Sequence, residues 1–183
     1  MILEARKYNW YAVYTRANSE KKLFENLQEK NIECYLPQRK VLRIWSDRKK
    51  WVDEPLFRSY IFVKVSYKEF FNVLSFTGAV YYVSFGGKAQ AIPEYQIDII
   101  KNFLSQADHE VTLTYDRIQK GDAVEVLNGS LKGIRGEVTN IHGQTRLVIR
   151  IDTLNCSLLA NISKDDVRIL EEKSAGPALS KLG

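Results

Sequence analysis

The chain reads as an α+β protein of two unlike modules: a ferredoxin-like α/β sandwich, then a small β-barrel of SH3 size. Three observations carry that reading. Strand and helix signals run β-α-β-β-α-β, plus one further helix, up to about residue 105. A stretch without sustained periodicity follows. Short apolar segments separated by turn signals then fill the rest, enough for five short strands.

Trp10-Tyr11-Ala12-Val13-Tyr14 opens as a strand. Asn18 or Ser19 caps a helix to about Lys30, with Leu23, Phe24 and Leu27 as its buried stripe. Asn31 suits the left-handed exit. Ile32–Leu36 is extended and halted by Pro37. Gln38–Trp45, a Ser46-Asp47 turn and Trp51-Val52 make an extended hairpin. Tyr60–Val65 is the strongest strand in the chain. Ser66 and Glu69 have capping-box spacing and start a short helix to about Leu74. Ala79–Phe85 is another strand, closed by Gly86-Gly87, and Pro93 begins a helix whose apolar face is Ile97, Ile100 and Leu104. This order is the split βαβ pattern, an antiparallel sheet with helices on one face. Beyond the connecting stretch, Ala123–Val126, Gly136–Ile141, Arg146–Ile151 and Ser157–Asn161 are strands between turns at Asn128-Gly129, Lys132-Gly133, His142-Gly143 and Asp152. The expected division is 8–106 for the first domain, 107–118 for a linker, 119–171 for the barrel and 172–183 for a frayed polar tail.

Composition narrows the function. The 183 residues are 45% hydrophobic and 27% charged, with 3 Trp, 10 Tyr and 8 Phe, which excludes a disordered chain. No run of about 18 apolar residues occurs, so no spanning helix is expected. The start, MILEARKYNW, lacks the apolar stretch of a secretory signal, and a cytoplasmic protein is expected. Residues 1–105 hold 17 Lys and Arg against 11 Asp and Glu, whereas residues 106–183 hold 10 against 11. The basic excess therefore sits wholly in the first module, either as a solvated surface or as an attractor for a polyanion.

Enzymatic signatures are missing: there is no Gly-Lys-Ser/Thr phosphate loop, no GxGxxG and no His/Cys clustering of zinc type. Cys34 and Cys156 are single and far apart, fitting neither a disulfide framework nor a thiolate metal site. His109 in the linker and His142 in a hairpin turn read as surface histidines, and Asp165-Asp166 as a turn or cap. No catalytic residue, metal or cofactor is expected.

Three segments carry more than composition. They are Trp10–Tyr14 with the helix holding Glu20-Lys21-Lys22; Glu54-Pro55-Leu56-Phe57-Arg58-Ser59-Tyr60-Ile61-Phe62-Val63 with Val83–Gly87 and Ile92-Pro93; and Gly121–Val126 with Gly129, Gly133 and Gly136-Glu137-Val138. In this order and spacing the set resembles the NusG family of transcription elongation factors, from the NusG N-terminal (NGN) domain to the KOW domain. The Glu-Pro-Leu-Phe-x-x-Tyr-x-Phe-Val form, and the short connection through Asn31–Cys34, look most like the specialised RfaH and UpxY types, operon-specific antiterminators of long polysaccharide or surface-structure operons. Arg58-Ser59 stands where the family usually has Pro-Gly or Pro-Asn, adding a charge near the presumed contact.

The resemblance implies that the first domain binds the clamp helices of the largest RNA polymerase subunit through an apolar depression. The matching positions are Tyr14 and Phe57, with Trp10, Leu56 and Tyr60 as neighbours. Aromatic anchors bury much area at little rotamer cost, so a few can dominate an interface. Trp10 and Tyr60, within strands, suit the core better than the contact; Phe57, before the strand and beside a polar turn, favours exposure; Tyr14, at a strand end, suits either.

Arg39, Lys40, Arg43, Arg48, Lys49 and Lys50 line the hairpin, with Trp45 and Trp51 flanking its tip. Cations interleaved with aromatics suit phosphate neutralisation and base stacking, or simply a solvated hairpin. The resemblance implies upstream duplex and non-template strand as targets, with Arg16 adding a contact. In the barrel, Leu131, Ile134 and Leu127 form either an apolar partner surface or core, and core is favoured for Leu127. The implied partner is a ribosomal protein or the termination factor Rho. In some specialised relatives the barrel masks the polymerase site, and a Glu54–Arg146 charge pair would support such docking here. Nothing requires more than a monomer. The competing readings are a housekeeping elongation factor, which would load genome-wide, and a ribosome-associated RNA-binding protein acting through its KOW barrel.

Overall fold

The computed structural model describes residues 7–44, 48–105, 111–129 and 131–170. Trp45 with the Ser46-Asp47 turn, His109 with the opening of the expected linker, and the tail 172–183 lie outside the described residues. In chain order the first part contains β1 (Asn9–Thr15), α1 (Glu20–Glu29), β2 (Glu33–Tyr35), β3 (Gln38–Ile44), β4 (Lys49–Pro55), β5 (Tyr60–Val65), α2 (Tyr67–Val73), β6 (Ala79–Tyr82), β7 (Ser84–Phe85), β8 (Lys88–Ala89), β9 (Ala91–Ile92) and α3 (Glu94–Ser105). The second part contains β10 (Thr112–Thr114), β11 (Asp122–Val126), β12 (Arg135–Ile141), β13 (Gln144–Ile151), β14 (Cys156–Asn161) and β15 (Val167–Ile169).

The first sheet runs β2-β5-β1-β6, with β9 also on β1, and all its pairs are antiparallel. Successive side chains in a strand point to opposite faces. Val13, Ile61, Val63 and Val65 therefore share one face, which Leu23 and Leu27 of α1 and Val73 of α2 close into a buried cluster. Phe24 reaches that cluster only from its edge. Two local signals behave as expected, whereas Ser19 stands at the N-cap of α1 without a side-chain capping hydrogen bond. The Ser66 backbone and hydroxyl donate to Glu69 Oε2 at 3.0 and 2.8 Å, and Asn31 takes φ 56° at the exit of α1.

The opposite face carries Trp10, Ala12 and Phe62, closed by Leu56, Phe57 and the α3 side chains Ile97, Ile100 and Phe103. Helices thus cover both faces rather than one. The buried stripe of α3 includes Phe103, while Leu104 is half-buried. The physical reason is a second cover: Ile99 and Asn102 line a groove together with Lys132, Gly133, Ile134 and Arg135 of the barrel. That groove lies on the Phe103 side of the helix and shifts its burial that way.

The second sheet runs β10-β14-β13-β12-β11-β15. Part of the stretch expected as linker is a strand, because Thr112–Thr114 pairs with Ser157–Leu159. Two glycines are fixed by close approach. A Cβ on Gly121 would lie 2.2 Å from the Val138 carbonyl oxygen, and one on Gly136 would lie 2.7 Å from that of Val148. Arg150 grips Glu137 through Nε at 2.9 Å and Nη2 at 2.8 Å, and Nη2 also donates to the Ile118 carbonyl at 3.2 Å. The Gly121 amide donates to Glu137. These bonds hold the Glu137 carboxyl below its ordinary range. Leu127, expected in the core, is 38% exposed where β11 has ended. Asp165 and Asp166 sit in a short 3-10 turn whose first amides are capped by Ser163.

Trp10, Phe57, Phe62, Ile97 and Phe103 belong to one buried cluster with Val126, Leu131, Ile134, Leu154 and Cys156. The barrel therefore packs on the second face of the first sheet.

Candidate functional site

That face becomes accessible at its Tyr14 end. Tyr14 and Tyr60 are register partners on β1 and β5, so their rings fall on the same side as Phe62. They meet edge to face at 5.4 Å, and Tyr81 of β6 stacks on Tyr14 at 4.9 Å. Tyr14 and Tyr60 are half-buried and Tyr81 is exposed. Burial raises the Tyr60 hydroxyl pKa. Three partly exposed rings held by a sheet present a rigid apolar ledge with polar tips, the chemistry of an interface anchor.

The remaining members of the expected contact are sealed. Phe57, placed outside by its position before a polar turn, is fully buried and packs edge to face on Phe62 at 5.5 Å. Leu56 is buried beside it. Trp10 is also buried, with Lys101 Nζ 5.2 Å and Lys64 Nζ 5.8 Å from its ring centroid. Phe57 turns inward because the Phe57–Tyr60 turn is tight: the Tyr60 amide donates to the Phe57 carbonyl at 3.2 Å. Ser59 adopts φ 62° in that turn, and its amide donates to the buried Glu20 carboxylate at 2.7 Å. Glu20 thereby supports a left-handed residue that is not glycine. Leu131 and Ile134, expected as an exposed partner surface, are buried in the shared cluster. Ile134 also lines the groove shared with Ile99 and Asn102 of α3.

The hairpin β3–β4 pairs Arg39 with Glu54, Val41 with Val52 and Arg43 with Lys50 on one face, and Lys40 with Asp53, Leu42 with Trp51 and Ile44 with Lys49 on the other. One face is dominated by cations and the other exposes Leu42, Ile44 and Trp51, the last two by 67% and 63%. All of Arg39, Lys40, Arg43, Arg48, Lys49 and Lys50 are exposed, as is Arg16. Arg43 donates to Glu54 at 2.6 Å and lowers its carboxyl pKa. Arg43, Glu54 and Arg58 also wall an open cleft of about 470 Å³ with Asn18, Glu20 and Ser59. The Glu54–Arg146 pair does not form: Glu54 is taken by Arg43, and Arg146 donates to Gln144 at 2.6 Å. Arg58 places the charge expected beside the contact, whereas Tyr81 is not among the residues that the sequence singles out. Tyr81 was legible in part, since Tyr81-Tyr82 must send one ring to each face of the sheet.

Among the described residues no group of three or more His, Cys, Asp or Glu could hold a metal ion, and no helix is long and apolar enough to cross a membrane. Both cysteines are free thiols, and burial pushes Cys156 up to about 12.

The chain is a mixed α/β protein with an aromatic sheet surface and an exposed basic hairpin. A family model described as transcription termination factor nusG matches residues 8–101, about half of the chain, and the chain belongs to the NusG family of transcription factors. Among solved structures it is similar to one described as "Domain interaction in Thermotoga maritima NusG", at 22% identity and a TM-score of 0.50, covering 91% of this chain and 99% of that one. A second likeness is to the MjSpt4:Spt5 complex in conformation B, at 14% identity and a TM-score of 0.32, covering 89% of this chain and 97% of that one.

Proposed function

We propose that the chain is a transcription elongation and antitermination factor. It binds the clamp helices of the largest RNA polymerase subunit with the aromatic face of its first sheet, and upstream duplex and non-template DNA with its β3–β4 hairpin. The observation that carries this reading is the ledge of Tyr14, Tyr60 and Tyr81, a rigid aromatic surface at the open end of an otherwise sealed face. The cations on the hairpin supply the attraction for phosphate, and Trp51 the ring on which an unpaired base stacks. A protein that binds the closed, elongating form of the polymerase better than the opened, paused form shifts that equilibrium by its differential affinity alone. Suppressed pausing and termination follow without chemistry.

The barrel covers the inner part of the same face, with Leu131 and Ile134 in the cluster that holds Phe57. This favours a factor whose polymerase site is masked until recruitment, and with it the operon-specific branch acting on polysaccharide-type operons. Once released, the apolar barrel residues meet the second partner, a ribosomal protein or Rho. The test joins purified transcription with chromatin immunoprecipitation. Pause lifetimes should shorten, and occupancy should begin within particular operons. Unaltered pausing would overturn the elongation role, and uniform genome-wide loading would replace the specialised branch by a housekeeping one.

A further inference from the structure

We propose that β10, with the residues on either side of it, is a releasable strap that sets how far the barrel can move from the aromatic face. The inference rests on reading that face as a polymerase site held under the barrel. Val111 and Leu113 pack against the cluster shared by the first sheet and the barrel. Thr112, Leu113 and Thr114 pair with Leu159, Leu158 and Ser157, and one further step of this register sets Tyr115 opposite Cys156 of the same cluster. The strap is thus paired to the second module and packed against the cluster that the two modules share.

Its attachment is weak on structural grounds, as is that of β15, the equally short strand at the other edge. β10 is three residues long and outermost in its sheet, so it is held by a single short ladder. Short edge elements open at low free-energy cost compared with the interior of a sheet. The chain after it is pinned elsewhere, since Arg150 Nη2 donates to the carbonyls of Ile118 and Gln119 at 3.2 and 3.3 Å. With β10 peeled, the next anchor is Ile118, so the connection between the modules gains the six residues after Thr112, a reach of at most about 20 Å. A short tether keeps the effective concentration of the barrel at the face high. Peeling also withdraws Val111 and Leu113 from the cluster, so lengthening and uncovering occur in one event.

The test uses the full chain carrying Cys34→Ser, which leaves Cys156 as its single thiol. Labelling of Cys156 by a maleimide reports separation, and amide exchange reports the strands. Leu113→Asp should speed labelling at least tenfold while the amides of β12 and β13 keep their protection. Leu113→Ser, which removes the apolar contact without a charge, carries the same expectation if the aspartate disturbs β13. The proposal is overturned if the Thr112 and Thr114 amides exchange freely while labelling stays at its original rate. Polymerase affinity separates the two claims. Faster labelling with unchanged affinity retains the strap and removes the masking role. Unchanged labelling in the strap variants, with affinity raised by Leu131→Asp, retains the masking role and removes the strap.

Discussion

The two faces of the first sheet are closed by different stretches of the chain. Val13, Ile61, Val63 and Val65 are covered by α1 and α2, which adjoin them in sequence. Trp10, Ala12 and Phe62 are covered by α3 and by barrel residues such as Leu131 and Cys156, far along the chain and beyond a connecting segment. Both faces hold rings among aliphatic side chains: Tyr11, Phe70 and Tyr82 on the first, and Trp10, Phe57, Phe62 and Phe103 on the second. A face closed by its own neighbours is a permanent core. A face closed by a second module can be uncovered without unfolding the sheet, and only there does exposure of large rings become a means of binding.

Substitutions on the two faces should therefore differ in kind. Ile61→Ala, on the permanent face, should cost about 2–5 kcal/mol through the cavity it leaves, read as a lowered midpoint in denaturant. Gly121→Ala should cost about 2–3 kcal/mol because its methyl would strike the Val138 carbonyl, and the loss should be confined to the barrel. Barrel unfolding that leaves the first sheet's exchange protection intact would sharpen the contrast, and joint unfolding would break it.

Glu137→Gln should cost about 1–2 kcal/mol near neutral pH by weakening the Arg150 grip on the loop before β11. The folded carboxyl titrates below its ordinary value of 4.5, so its contribution is complete above that value and is lost as pH falls beneath it. Urea titrations of the variant and the natural chain should accordingly converge in acid. A gap that persists undiminished at low pH would remove the ion pair as its cause. The smallest effect belongs to the hairpin, which lies outside both faces. Lys50→Gln should leave stability unchanged and reduce the salt slope of DNA binding by about 1. An unaltered slope would take Lys50 out of the phosphate contact.

Sequence was most informative where the cause of a structure is local. The Ser66–Glu69 box, the Asn31 exit and the alternation in Tyr60–Val65 all rest on neighbours within four residues. Reading failed where the partner is distant. Phe57 looked exposed beside a polar turn, but it is buried in a cluster with Ile97, Ile100 and Phe103 of α3, some forty residues on. Leu131 and Ile134 suited either a partner surface or core, and they are buried in a cluster that includes residues remote in sequence. Thr112–Thr114 is too short for two-residue alternation to stand out, and only its ladder to β14 reveals it. Of the candidate site, the hairpin cations were legible by charge alone, whereas the Tyr81 stack needed the register of β1 with β6.

The aromatic ledge is tested most directly by the affinity of the full chain for a polymerase elongation complex, with and without Tyr14→Ala. The ring is half-buried against Tyr60 and Tyr81, so its loss should lower the thermal midpoint modestly while the chain stays folded, and weaken binding at least tenfold, about 1.4 kcal/mol. Equal affinities of the two folded chains would show that the polymerase is held elsewhere.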